Sequence, residues 1–140
     1  MKQSSSLLKS AFCAGLALFA AAAPSSAAYP EFSGTKPNGA QRGSDVMVTF
    51  TGNRLADFEG LIFFTPGFTM KKVEKVENGK VECLVGIAPT VPPGNHLIRL
   101  RTKTGISHAR QFFVGPFPNV DEKEPNNDIE SPQIIALNQT

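Results

Sequence analysis

The sequence predicts an all-β fold, a β-sandwich of about seven short strands. Three observations carry this expectation. No stretch after residue 28 has the period of an amphipathic helix. Turn signals recur at short intervals, at Pro37-Asn38-Gly39, Gly52-Asn53, Pro66-Gly67, Asn78-Gly79, Pro92-Pro93-Gly94 and Thr104-Gly105. Between them lie runs rich in Val, Ile, Phe and Thr, residues that suit a pleated, half-buried surface.

The first 28 residues read as a signal peptide preceding this fold. Lys2 and Lys9 among serines form a basic opening, residues 11–23 form an apolar run, and Ser26-Ala27-Ala28 supplies the small residues a signal peptidase needs. Cleavage there makes Tyr29 the mature N-terminus and implies a secreted, periplasmic or cell-surface protein. The apolar run is shorter than the roughly 20 residues that span a bilayer, which sets aside a retained anchor and leaves no transmembrane segment after cleavage. Cys13 lies inside the run, after Ser10-Ala11-Phe12, which is a poor lipobox.

Strands are expected at 31–36, 44–51, 61–65, 72–77, 80–88, 96–101 and 106–114. In the second, Val46, Val48 and Phe50 alternate with Asp45, Met47, Thr49 and Thr51, so one face is buried and one is wet. The short apolar run 61–65 suits a central strand. Asn78-Gly79 is a hairpin signal, because both residues tolerate positive φ. Val81, Cys83, Val85 and Ile87 share a face, as do Ile98 and Leu100; at Phe112-Phe113 either ring can point inward. The strand count and lengths fit an immunoglobulin-like sandwich. Gly115-Pro116-Phe117-Pro118 denies the last ladder its donors and ends it. The organisation is thus a signal peptide at 1–28, one domain at 29–117, a linker at 118–123 and the start of a second unit at 124–140.

Charge and cysteine usage narrow the function. The chain has 14 Lys and Arg against 12 Asp and Glu, and loss of Lys2 and Lys9 leaves twelve of each. A neutral mature protein gives no support to steering toward nucleic acid. Cys83 remains alone once Cys13 is removed, so no internal disulfide is expected, and its place on a buried face makes it a small hydrophobe.

Catalytic equipment is missing from the pattern. Nucleophilic catalysis needs a base held by a third group, and the mature part offers only His96 and His108, each in a strand arm. Lys103-Thr104-Gly105 copies a penicillin-binding-protein motif in spelling alone, since its partner Ser6-Leu7-Leu8-Lys9 lies in the signal. One Cys and two distant His do not make a zinc site, and no glycine-rich phosphate loop is present. Asn138-Gln139-Thr140 reads as chance spelling of a glycosylation sequon.

Two candidate sites follow. Strand parity puts Arg99 and Arg101 on one outer face and His108 and Arg110 on a face of the next arm, where antiparallel pairing would set the four side by side. Such a stripe suits an anionic polysaccharide or surface polymer; the plainer reading is a solvated face. The acidic segment around Glu122, Glu124, Asn126 and Asp128 gathers oxygen ligands of the kind Ca²⁺ takes, with a solvated linker as the plainer reading. No other cofactor is expected.

Several short motifs occur in a fixed order. They are Pro30, Pro37-Asn38-Gly39, Gly43, Val46-Met47-Val48-Thr49-Phe50-Thr51-Gly52-Asn53, Leu61-Ile62-Phe63-Phe64, Val85-Gly86-Ile87-Ala88-Pro89, Pro93-Gly94 and Gly105-Ile106-Ser107 running to Phe112-Phe113-Val114. In this order and spacing the chain resembles the bacterial IPT/TIG immunoglobulin-like domains. Glu124-Pro125-Asn126-Asn127-Asp128 and the residues after it resemble the opening of a bacterial pre-peptidase C-terminal domain, cut short. Some collagen-binding members of that family hold calcium in an acidic segment at this boundary. The resemblance implies a non-catalytic extracellular module, a spacer or an adhesive unit binding a protein or polysaccharide at the cell surface. The alternative it implies is the accessory N-terminal part of a secreted peptidase.

Overall fold

The computed structural model describes residues 29–120, 123–125, 128, 130 and 132–139. The expected signal peptide at 1–28 lies outside the described residues. Among the described residues there is no helix, and none is long and apolar enough to cross a membrane. Strands follow one another as β1 (Glu31–Lys36), β2 (Gly39–Gln41), β3 (Asp45–Asn53), β4 (Phe58–Phe63), β5 (Phe68–Val76), β6 (Lys80–Ile87), β7 (Gly94–Thr102), β8 (Gly105–Ile106) and β9 (Arg110–Gly115). They form two sheets. One has the order β1-β3-β6-β5; the other has the order β2-β9-β7-β4, with β8 paired to β7. The described residues are therefore all-β, with two sheets packed as a sandwich.

The alternating residues meet between the sheets. Val48 and Phe50 of β3 and Val81, Cys83, Val85 and Ile87 of β6 line one inner face; Ile98 and Leu100 of β7 and Phe112 and Val114 of β9 line the other. Val46, on the same face of β3, is half-buried against this core. Burying one such aliphatic or aromatic side chain contributes about 1.5–3 kcal/mol, so this layer dominates the stability. Leu55 and Val91, from loops, close its two ends and are as buried as the strand residues.

Four expectations are corrected. The run expected at 61–65 as a central strand is β4, displaced to Phe58–Phe63 at the edge of its sheet. A short extra strand, β2, pairs parallel to β9. The hairpin at Asn78-Gly79 forms, but neither residue has positive φ. Instead the Asn78 and Gly79 carbonyls accept hydrogen bonds from Leu55 and Gly52, so docking on the end of β3 shapes the turn.

The fourth correction bears on function. The strand expected over 106–114 is broken into β8 and β9. Arg101 pairs with Ile106, and in that register Ile98 would face Ala109; it faces Arg110 instead. One extra residue has entered as a bulge, and a one-residue shift turns every later side chain to the opposite face. Ser107 seals the bulge: its amide donates to the Leu100 carbonyl, and its hydroxyl accepts from the Leu100 amide and donates to the His108 carbonyl.

β1 begins beside Asn53 and runs away from it, and β9 ends beside Gln41. The Gly105 turn lies against Tyr29 and Pro30 at the first end of the sandwich. Pro116, whose carbonyl accepts from Gln41, lies at the other. The chain thus enters the sandwich at one pole and leaves it at the opposite one.

Candidate functional site

The four basic residues do not form one row. Arg99 and Arg101 lie on the outer face of β7, opposite Ile62 and Gly60 of β4. The Arg101 guanidinium reaches Glu59 at 3.4 Å, and that of Arg99 lies over the Phe64 ring, 5.6 Å from its centre. Arg110 sits opposite the buried Ile98, hence on the inner side, and donates from Nε to the Phe32 carbonyl at 2.8 Å. His108, in the bulge, meets the Tyr29 ring edge-on at 5.5 Å. The bulge is the physical reason that Arg110 leaves the expected stripe, while Arg99 and Arg101 stay together on the outer face.

Tyr29 is held from both sides. The Arg54 guanidinium lies 5.9 Å from its ring centre and donates to its carbonyl at 2.7 Å, while also pairing with Glu31. Asn53 donates to the same carboxylate, and these contacts hold the Glu31 carboxyl below its ordinary range, Asn53 having the largest effect. Arg54 adopts φ 58°, the left-handed region in which a non-glycine residue is uncommon, and so reaches back to β1.

Arg99 is surrounded by apolar side chains. Phe64, Leu97, Ile106 and Phe113 are exposed on the outer side of the β2-β9-β7-β4 sheet, and Ile62 is half-buried among them. An antiparallel sheet open to water normally presents polar residues on that face. The sequence signal was present in Leu61-Ile62-Phe63-Phe64 and Phe112-Phe113, which place apolar side chains on both faces of their strands. Those runs suggest a strand covered on two sides, yet among the described residues nothing covers the second side.

Among the described residues, His96, Thr102 and Ser107 are buried polar side chains. His96 is buried; Nε2 lies 2.8 Å from the Pro92 carbonyl, and Nδ1 lies 2.9 Å from the Thr65 hydroxyl. A carbonyl only accepts, so Nε2 carries a proton and donates to Pro92. The third group of this contact is the Pro92 backbone carbonyl. Burial pushes the Cys83 thiol up to about 11, away from the thiolate that reactivity requires.

Of the candidate calcium ligands, Glu124 and Asp128 are exposed, while Glu122 and Asn126 lie outside the described residues. Among the described residues no three His, Cys, Asp or Glu side chains converge as a metal site would require. A shallow depression of about 310 Å³ between β5 and β6 is spanned by the Asp45–Lys71 ion pair. Compared with known proteins, the chain matches no family model and no curated sequence.

Proposed function

We propose that this chain carries a non-catalytic, immunoglobulin-like module of an exported protein, acting outside the cell as a spacer and adhesive unit. The strand order carries the reading. β1-β3-β6-β5 against β9-β7-β4 matches the order A-B-E-D against G-F-C of that fold. Entry and exit at opposite poles suit a unit placed in series with others. The motifs quoted above favour an IPT/TIG-like domain, followed by the opening of a pre-peptidase C-terminal-like unit. The exposed apolar face with Arg99 and Arg101 is where such a module would meet a surface protein or polysaccharide, for aromatic and Arg side chains are those enriched in contact surfaces.

Export is tested by expressing the full chain in a bacterial host, fractionating the cells and sequencing the N-terminus. The expected product begins at Tyr29 and lies outside the cytoplasm. An uncut chain retained inside the cell would overturn the extracellular assignment.

A further inference from the structure

We propose that the outer face of the β2-β9-β7-β4 sheet docks the C-terminal segment of a second copy of this chain. This extends the adhesive reading above, but depends only on the surfaces described here.

The face is apolar and carries an uncompensated cation. Phe64 is 56% exposed and Phe113 45%, and Leu97 lies between them. Leu97 pairs with Gln111, which makes Phe113 its diagonal neighbour, and the Phe64 amide donates to the Leu97 carbonyl. Phe64, just past the end of β4, Leu97 of β7 and Phe113 of β9 therefore run as one stripe. Arg99 flanks it. Among the described residues Arg99 has no ion-pair partner, and its Nε is buried without a hydrogen bond.

The body of the chain offers this cation no carboxylate of its own. Glu31, Asp45, Glu59, Glu74, Glu77 and Glu82 each hold a Lys or Arg already, and Asp57 accepts from the Thr104 amide. Residues 29–120 contain eleven Lys and Arg against seven Asp and Glu, whereas residues 121–140 contain one against five. The two parts of the chain are thus opposite in charge.

The C-terminal segment matches the face in apolarity as well. Ile134 is 93% exposed, Ile135 53% and Leu137 95%, and Asp128 and Glu130 stand exposed just before them. In extended form Ile135 and Leu137 point the same way, as period-two alternation requires. Both surfaces are open to water within one copy, which leaves each free to meet another copy. Face-to-face pairing of two identical sheets would bring Arg99 no free carboxylate, since Glu59 already holds Arg101, and this opposes that alternative. A segment-to-face contact is heterologous and propagates from copy to copy.

Sedimentation velocity of the full chain over a rising concentration series tests this. The expected result is a sedimentation coefficient that climbs with concentration and falls back in high salt, because the attraction is partly electrostatic. Arg99→Glu should weaken the association about tenfold or more by opposing the acidic segment. Leu97→Asp disables the face, and Ile135→Asp with Leu137→Asp disables the segment. All three positions are exposed, and an unchanged circular-dichroism spectrum verifies folding. Each variant alone should be monomeric, but a mixture of the face variant and the segment variant should form dimers and nothing larger. A wild-type chain that stays monomeric throughout, or a mixture that never pairs, would overturn the proposal. Neither result touches the export experiment, so the two readings fail separately.

Discussion

Arg110 and Phe32 are joined across the open side of the sandwich by a 2.8 Å hydrogen bond from the Arg110 Nε to the Phe32 carbonyl. It ties the two sheets together where β9 passes β1, and it takes Arg110 out of the surface charge on the outer face. Arg110→Ala should lower stability by about 1 kcal/mol in urea unfolding, with retention on immobilised heparin unchanged. Arg99→Ala with Arg101→Ala should have the reverse profile, with earlier elution and little loss of stability. If Arg110→Ala elutes as early as the double variant, the division of the four basic residues is wrong.

Ser107 satisfies three backbone groups around the bulge from a buried position. Ser107→Ala strands the Leu100 amide in the interior. The expected cost is about 1–3 kcal/mol, read as a lower urea midpoint with unchanged slope. A variant as stable as the parent would show that the Leu100 amide finds another acceptor.

Cys83 is fully buried on β6, and burial raises its thiol from 9.0 to about 11. At pH 8 the folded chain should resist iodoacetamide, and denaturant should expose the thiol at once. The pH dependence follows by linkage. The folded state holds the thiol proton more tightly than the unfolded state, so this stabilisation is complete below pH 9 and is lost as pH rises toward about 11. Cys83→Ala should flatten that alkaline limb of an unfolding series. A limb equally steep without the thiol would assign it to other groups.

Glu31 is shifted in the opposite direction, below the ordinary 4.5, by Asn53 and then Arg54. Its contribution is present above pH 4.5 and disappears as pH falls through the lowered value. In a carbon-detected NMR titration, Glu31 should have a midpoint below the ordinary value, and Asn53→Ala should move it upward. No movement would mean that the observed hydrogen bond does not persist in solution.

The layers of this fold are legible in the sequence because alternation is a local property. Val48 and Phe50, or Val81, Cys83 and Val85, reveal their common face to anyone counting by twos. Register is not local in that sense. Between Ile106 and Val114, the string Ser107-His108-Ala109-Arg110-Gln111 carries no clean alternation to mark the inserted residue, so parity counted through it misplaces Arg110. Leu55 and Val91 escape notice for another reason: they enter the core from loops, where no periodicity exists to read. The exposed apolar face around Phe64 was visible as composition. Composition does not say which strand stands at an edge, and β4 proved to be one.

The parallel pairing of β2 with β9 has a mechanical consequence. Both strands run toward the same pole, yet the chain reaches β2 from the far pole through β1 and departs directly from β9. Tension between the two ends would drag these neighbours past each other along their length. The Gly39–Phe113, Ala40–Val114 and Gln41–Gly115 pairs would then be strained together rather than opened in turn. Resistance to pulling would thus be concentrated in one short ladder of three residue pairs, while the long β5–β6 hairpin would give way only after it had slipped.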